Sequence, residues 1–335
     1  METFQIAVVG GGGAGTMAYL RSVLNGDRTA FFLGNADTKR KGRAIWVQDV
    51  DNIPGMHGLQ RPITNTTKDT LKWLKAHKEI GYHGEAFKAS VTKIERRGEL
   101  FVLHYEDKRE ACTLRARYVI LATGIMDRQP EIQGSIKPVL PFANRGDFIY
   151  CVRCDGHRTL GKKLSIIGTS STTMAIAAMM CERYGHEDIS ILCNGNDPEF
   201  TDKDLDLAKA YGASIHKAPI TKLLGSARQE GLQGFQLEDG TVVETNCCIV
   251  SLGIIPTNQL LLSLGGDVDK QGKALVDANY ETNIPNLFVV GDLVSGKKMQ
   301  IYTAWDEAVD AADEINRRIR LKNRKEFLSP PQAST

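Results

Sequence analysis

Phe4-Gln5-Ile6-Ala7-Val8-Val9-Gly10-Gly11-Gly12-Gly13-Ala14-Gly15 is the stretch that decides the fold. Phe4 to Val9 is apolar and rich in β-branched residues, the composition of a strand buried on both faces of a parallel sheet. The glycines that follow satisfy G-x-G-x-x-G at Gly10, Gly12 and Gly15, with Gly13 and Ala14 inside the loop. Thr16 to Leu24 then places Met17, Leu20, Val23 and Leu24 on one helical face. Strand, glycine turn and helix in that order form the context that gives the pattern meaning. The first Gly permits the tight turn, the second lets a pyrophosphate approach, and the third lets helix and strand close together. The helix N-terminus turns N–H groups and positive dipole toward phosphate.

Thr29 to Leu33 reads as a second strand and completes a βαβ unit. The ribose-binding acid expected about 20 residues past the glycines is missing, since the strand ends Leu33-Gly34-Asn35. That argues against simple NAD use here. Outward from this unit, Thr67 to Lys78 reads as a helix and residues 87–121 as strands. Tyr118 to Leu121 runs buried into Ala122-Thr123-Gly124. The alternation then restarts with strand Lys163–Ile167, helix Thr172–Tyr184 and strand Ile189–Cys193. Cys247 to Leu252 and Leu287 to Val290 read as further buried strands, and Thr303 to Ile319 as a long helix with a basic end. The expected class is α/β, with two Rossmann-like domains, the second inserted in the first. Residues 1–124 and 254–325 would form the first domain, 125–253 the second, and 326–335 a flexible tail.

The chain's 335 residues exceed what one core holds, about 250–300. Hydrophobic residues at 42% and charged residues at 24% exclude a largely disordered chain. Lys+Arg number 42 and Asp+Glu 40, so nothing pulls the chain toward nucleic acid or an anionic membrane. The longest apolar stretch, Met174 to Cys181, has 8 residues, against about 20 for a membrane span. No basic n-region or cleavage site opens the chain, so the expected location is cytoplasmic. Seven cysteines without an export signal argue against a structural disulfide framework.

Cys151-Val152-Arg153-Cys154-Asp155-Gly156 is the sharpest chemical signal. Thiols at i and i+3 can close a short disulfide, and such motifs depress one thiol's pKa. Asp155 is placed to move the proton that thiol–disulfide chemistry requires. A zinc site needs a second pair. Cys247-Cys248 is a poor one, because adjacent strand residues point to opposite faces. Two unpaired thiols in a loop are the plain alternative. A thioredoxin module is disfavoured, because its pair sits at a strand-to-helix junction and this pair precedes a strand.

Taken together, these motifs resemble the low-molecular-weight thioredoxin reductases along almost the whole chain. That family is a flavoprotein whose FAD domain is interrupted by a pyridine-nucleotide domain carrying a C-x-x-C-D-G disulfide. Gly42 through Gly55 matches its stretch ending in Asn-x-Pro-Gly, with Asn52 by the flavin. Ala122-Thr123-Gly124 and Gly253-x-x-Pro256 match its two crossovers. Gly291-Asp292 matches its second FAD motif, whose Asp bonds the ribityl chain. The resemblance implies one FAD and a homodimer. Cys154 would face the flavin, Cys151 would exchange with a thioredoxin-like or other dithiol/disulfide protein, and Asp155 would be the acid/base. Beside Met299, Gln300 and Ile301 would offer backbone N–H groups to the flavin.

The departures concern the nucleotide. Gly168-Thr169-Ser170-Ser171-Thr172-Thr173 replaces the second glycine loop. Cys193-Asn194-Gly195 stands where the family has the His-Arg-Arg that holds the 2′-phosphate of NADPH. Each lost charge-assisted bond is worth about 1.5–3 kcal/mol, so two lower affinity by about 100-fold or more. NADPH is therefore not the expected donor. Ser170, Ser171, Thr172 and Thr173 at a helix start suit a pyrophosphate or serve as plain N-caps. Trp46, Tyr302 and Trp305 replace small or aliphatic residues; they are core aromatics or a stacking surface for a second planar ring. The expected function is a flavin-dependent disulfide oxidoreductase, most like the diflavin-linked type, with a second FAD in the degenerate site. A thioredoxin reductase fed by ferredoxin or NADPH, and a non-enzymatic flavin redox sensor, stand as alternatives.

Overall fold

The computed structural model describes residues 3–40, 42–107 and 109–328. The chain divides into two compact units: Met1–Val47, Gln60–Met126 and Pro256–Thr335 form one, and Gln48–Leu59 with Asp127–Ile255 form the other. Residues 48–59, expected in the first domain, thus cluster with the second unit.

In the first unit, β1 (Thr3–Val9), α1 (Gly13–Leu24) and β2 (Thr29–Phe32) open a seven-stranded sheet. β1 lies between β2 and the long strand Glu110–Leu121, parallel to both. Gly84–Phe87 extends the sheet beyond β2, also in parallel. The long strand has two uses. Its first part pairs antiparallel with Leu100–Asp107, which pairs with Val91–Arg97; Val119 to Leu121 pair in parallel with Leu287–Val289. Ile6, Val8, Phe31, Ile120 and Phe288 are fully buried in the resulting core.

Small buried residues (Ala14, Gly15 and Ala18) let α1 lie close to the sheet. On its other side packs the helix Ile301–Leu328, pinned by Arg21 Nε to Asp313 Oδ1 at 2.6 Å. That helix is longer than the expected 303–319 and takes in residues 326–328 of the expected tail; residues 329–335 lie outside the described residues. The helix expected over 67–78 runs Pro62–Ala76, with Pro62 in its first turn, a start signal.

The second unit centres on β3 (Leu164–Ile167), α2 (Ser171–Tyr184) and β4 (Ser190–Leu192). Its five strands run Ser214–His216, β4, β3, Cys247–Val250, Phe148–Ile149, all in parallel. Apolar cores lie on both faces. Cys248 joins Phe148 and Phe235 on one, and Cys247 joins Met174 and Ile191 on the other. The neighbouring cysteines therefore point apart, as extended backbone requires. Burial pushes Cys247 up to about 11 and Cys248 up to about 12, which makes both thiols inert core residues. An antiparallel meander of Ile220–Ser226, Gly231–Leu237 and Val242–Glu244 packs against the first face. Among the described residues no helix is long and apolar enough to cross a membrane.

Candidate functional site

Three glycines of the first loop have three different surroundings. Gly10 has φ +122°, and a Cβ there would stand 2.2 Å from the Ala122 carbonyl oxygen. A Cβ on Gly15 would stand 1.8 Å from the Gly10 oxygen. Both positions are closed to any side chain. Gly12 is the opposite case, since nothing lies within 4 Å of where its Cβ would be. This open space sits at the start of α1, whose N-cap Gly12 offers no side chain. The Thr16 N–H bonds to the Gly12 oxygen, so Gly13, Ala14 and Gly15 present N–H groups with no intrahelical partner. A pyrophosphate fits this cradle by charge and by space.

The cradle has a second wall in the same unit. A Cβ on Gly291 (φ +83°) would meet Ala14 Cβ at 2.8 Å, so the Ala14 side chain fills the space against the Gly291 backbone. The Asp292 carboxylate stands 3.1 Å from Arg43, the residue after Gly42. Thr123 donates its hydroxyl to the Thr257 oxygen at 2.6 Å, and the Gly124 oxygen accepts from Thr257. Ile301 and Trp305 pack at Gly13, 2.5 and 3.6 Å from its would-be Cβ. Met299 and Trp46 are half-buried, and Tyr302 is 40% exposed. The Gln300 N–H donates to the Lys298 oxygen at 2.8 Å across the turn before the helix. Ile301 lies in the first turn of that helix, where N–H groups have no intrahelical partner.

Two buried charged groups beneath this wall escaped the sequence reading. Glu307, 1% exposed, accepts the Gly291 N–H at 2.6 Å through Oε2, while Oε1 has no hydrogen-bond partner among the described residues. Burial pushes its carboxyl up to about 7 against the pull of that N–H. Lys273 is 5% exposed; burial lowers its pKa while Asp292, Asp269 and Glu307 hold it up. Glu307 falls at helical spacing among Ala304, Ala308 and Ala311, a usable signal of burial, whereas Lys273 lies in a loop without periodicity.

In the second unit, Cys151 and Cys154 are joined as a disulfide with Cα atoms 5.3 Å apart. Strand Phe148–Ile149 leads into them, and Cys151 caps the one-turn helix Val152–Asp155 by accepting the Cys154 N–H on Sγ. The pair does lie at a strand-to-helix junction, contrary to the contrast with thioredoxin drawn from the sequence. The missed feature is a short helical turn, too brief to show periodicity. Burial raises the Asp155 pKa, and Arg158 opposes it. Arg158 reaches three carboxylates: Asp51 at 2.7 Å, and Asp155 and Asp49 each at 3.5 Å. His157 Nε2 lies 3.0 Å from the same Asp51 oxygen. Despite burial, Arg158 and His157 hold Asp51 below the usual carboxylate range. The spacing of Asp155 and Arg158, i and i+3, was a usable signal. Asn52, next to Asp51, is half-buried.

The hydroxyl loop after β3 does not present its four side chains together. A Cβ on Gly168 would stand 2.3 Å from Thr173 Oγ1. Thr173 is fully buried, donating to Ser251 at 3.3 Å. Ser171 donates to Asp204 at 2.7 Å, and Asp204 also accepts from Thr201 in a capping box. These bonds, Ser171 first, hold the Asp204 carboxyl below its usual range. A carboxylate thus stands at the start of α2. Ser170, its N-cap, makes no side-chain capping bond, and Thr172 is exposed. After β4, Asn194 donates to the Glu131 oxygen and accepts the Ile220 N–H, both at 2.8 Å, which ties the turn. Trp46, Tyr302 and Trp305 belong to the other unit.

Residues 4–308 match the model of the family described as Pyridine nucleotide-disulphide oxidoreductase. An NADH dehydrogenase of Bacillus subtilis (strain 168) is 24% identical, with 93% of this chain and 58% of the relative covered. This chain therefore spans well under two thirds of that relative. A thioredoxin reductase of Mycoplasma genitalium is 24% identical over 93% of this chain and 94% of its own. Among solved structures, thioredoxin reductase from Streptococcus pyogenes MGAS5005 superposes with a TM-score of 0.80 at 20% identity, covering 95% and 99% of the two chains. That likeness establishes the fold.

Proposed function

The chain belongs to the pyridine nucleotide-disulphide oxidoreductase family, and on that premise we propose an FAD-dependent disulfide oxidoreductase that works without NADPH. The observation that carries this reading is the closed Cys151–Cys154 pair with the half-compensated acid Asp155 beside it. Membership in the family implies FAD, and the open space at Gly12 fits its pyrophosphate. Gly10, Gly12, Gly13, Ala14 and Gly15 would hold that group. Gly42, Thr123, Gly124, Gly291, Asp292, Met299, Gln300 and Ile301 of the same unit would hold the remainder. Bound FAD supplies a two-electron store.

The thiol chemistry belongs to this chain's own residues. A partner thiolate attacks Cys151 Sγ, the Cys151–Cys154 bond breaks, and the electron pair leaves on Cys154. Asp155, in its protonated form, gives a proton to the thiolate formed. The partner's second thiolate then attacks the partner sulfur of the mixed disulfide and releases Cys151. The partner ends as a disulfide and the pair as a dithiol; the reverse sequence reduces a partner disulfide. A thioredoxin-like protein is the proposed partner and a homodimer the proposed assembly.

Two features support the exclusion of NADPH. No Arg or Lys occupies 193–195, and Asp197, Glu199, Asp202 and Asp204 follow, like charges for a 2′-phosphate. The test is anaerobic stopped-flow absorbance. A reduced dithiol protein should bleach the flavin and micromolar NADPH should not. Rapid bleaching by NADPH overturns the donor assignment. A flavin spectrum indifferent to Cys151→Ser and Cys154→Ser removes the pair as redox centre.

A second reading keeps a dinucleotide lacking the 2′-phosphate, either a second FAD or NADH, at the start of α2. Its support is Ser170, which makes no capping bond of its own, and exposed Thr172. The engagement of Ser171 with Asp204 weighs against it.

A further inference from the structure

We propose that Arg158 is a positioning residue that shares one guanidinium between Asp51 and Asp155, so that segment 48–59 governs the charge around the acid beside the redox disulfide. The inference deepens the assignment of Asp155 as acid/base and rests on it.

The geometry is unequal. Arg158 Nη2 and Nε stand 2.7 and 2.8 Å from Asp51 Oδ2, whereas Nε stands 3.5 Å from Asp155 Oδ1. Asp51 therefore takes the strong charge-assisted bonds, and Asp155 receives a weak one. His157 adds a third contact to the same Asp51 oxygen. Three carboxylates surround one guanidinium, so ionising the last of them is opposed by the other two. The charged and titratable groups facing Asp155 are Arg158, His157, Asp51 and Asp49, with the thiol of Cys247 from the neighbouring core strand. Burial favours the acid most; among these groups Arg158, and after it His157, favour the carboxylate, while Asp51 and Asp49 favour the acid. Were Asp155 to hold Arg158 alone, it would be a permanently ionised partner and a poor proton donor. Asp51 prevents this by drawing the guanidinium away.

Arg158 and Asp51 thus act on Asp155 in opposite directions, which a merely structural role would not do. The experiment follows the Asp155 carboxyl resonance against pH in oxidised holoprotein labelled with [13C]aspartate, the signal being identified by its loss in Asp155→Asn. Arg158→Gln should raise the midpoint and Asp51→Asn should lower it, each by about one pH unit. Shifts in the same direction, or no shift in either variant, overturn the proposal. If circular dichroism shows that Arg158→Gln is unfolded, Asp51→Asn decides alone: a lower midpoint supports the proposal, and an unchanged or higher one overturns it. No turnover is involved, so a failure of dithiol exchange would remove the catalytic reading without deciding this one.

Discussion

The loops at Gly10–Gly15 and Gly168–Thr173 follow the same plan, a parallel strand turning into a helix through a glycine with no room for a side chain. They end differently. At the third position Gly15 lets α1 close on the Gly10 carbonyl, whereas Thr173 fills that place and turns its hydroxyl to Ser251. At the second position Gly12 leaves open space, and Ser170 takes the same extended backbone, φ −105°, without strain. The larger difference is the acid. Asp204 receives Ser171 where a phosphate would need a donor. One strand–turn–helix therefore leaves open space at its helix start, and the other places a carboxylate of its own there. What fills the space beside the helix start decides the chemistry, not the turn itself.

The comparison breaks most visibly at Gly15. In Gly15→Val the new side chain meets backbone 1.8 Å away. Flavin content of the purified protein should fall to near zero, and the melting temperature should drop with it. Thr173→Val, nearly isosteric and in the second loop, should leave flavin absorbance unchanged. Full flavin in Gly15→Val would end the cradle reading.

Flavin stoichiometry is the next test. Denatured wild-type protein reconstituted with excess FAD should release about one flavin per chain, and Ser171→Asp/Thr172→Asp should release the same. Two per chain, falling toward one in the double variant, would show the second loop open and favour the second FAD.

The two carboxylates sharpen the contrast further. Asp204 is held below its usual range by donors, and Glu307 is pushed up to about 7 by burial. Because the folded Glu307 holds its proton more tightly than the unfolded one does, its contribution to stability is complete below about pH 4.5. That contribution is lost as pH rises toward 7. Glu307→Gln keeps an acceptor for Gly291 and cannot ionise. At pH 7.5 it should exceed wild type by up to about 2–3 kcal/mol in urea unfolding, converging near pH 4. Parallel curves across this range would show that Glu307 titrates normally. The smallest effect belongs to Thr201→Ala, which removes one half of the capping box and should cost about 1 kcal/mol.

Much of this architecture was legible because it is local. The runs Phe4–Val9 and Lys163–Ile167, each followed by a glycine and an amphipathic stretch, announced two βαβ units, and both are present. Cys151 and Cys154 are three residues apart and needed no fold to suggest a pair. What stayed hidden is non-local. Arg158 and Asp51 are 107 residues apart, and Arg43 and Asp292 are 249 apart, so no periodicity links them. The partner of Ser171 in the hydroxyl run was hidden for the same reason: Asp204 lies 33 residues downstream. The turn from Lys298 to Gln300 likewise leaves no composition signal.

The long strand Glu110–Leu121 carries a consequence for how the chain is made. Its parallel partner, Leu287–Val289, is separated from it by the entire inserted unit. The five parallel strands of the second unit all lie between Phe148 and Val250. During synthesis the first sheet must wait, with Val119 to Leu121 of its central strand unpaired along one edge, until residue 289 has left the ribosome. The inserted unit has all its strands before then. Domains usually fold in order from the N-terminus; here the interrupting unit is complete first and the interrupted one closes last. Nascent chains arrested with residues through 270 exposed should show protease-resistant second-unit fragments while Tyr118–Leu121 remains cleavable.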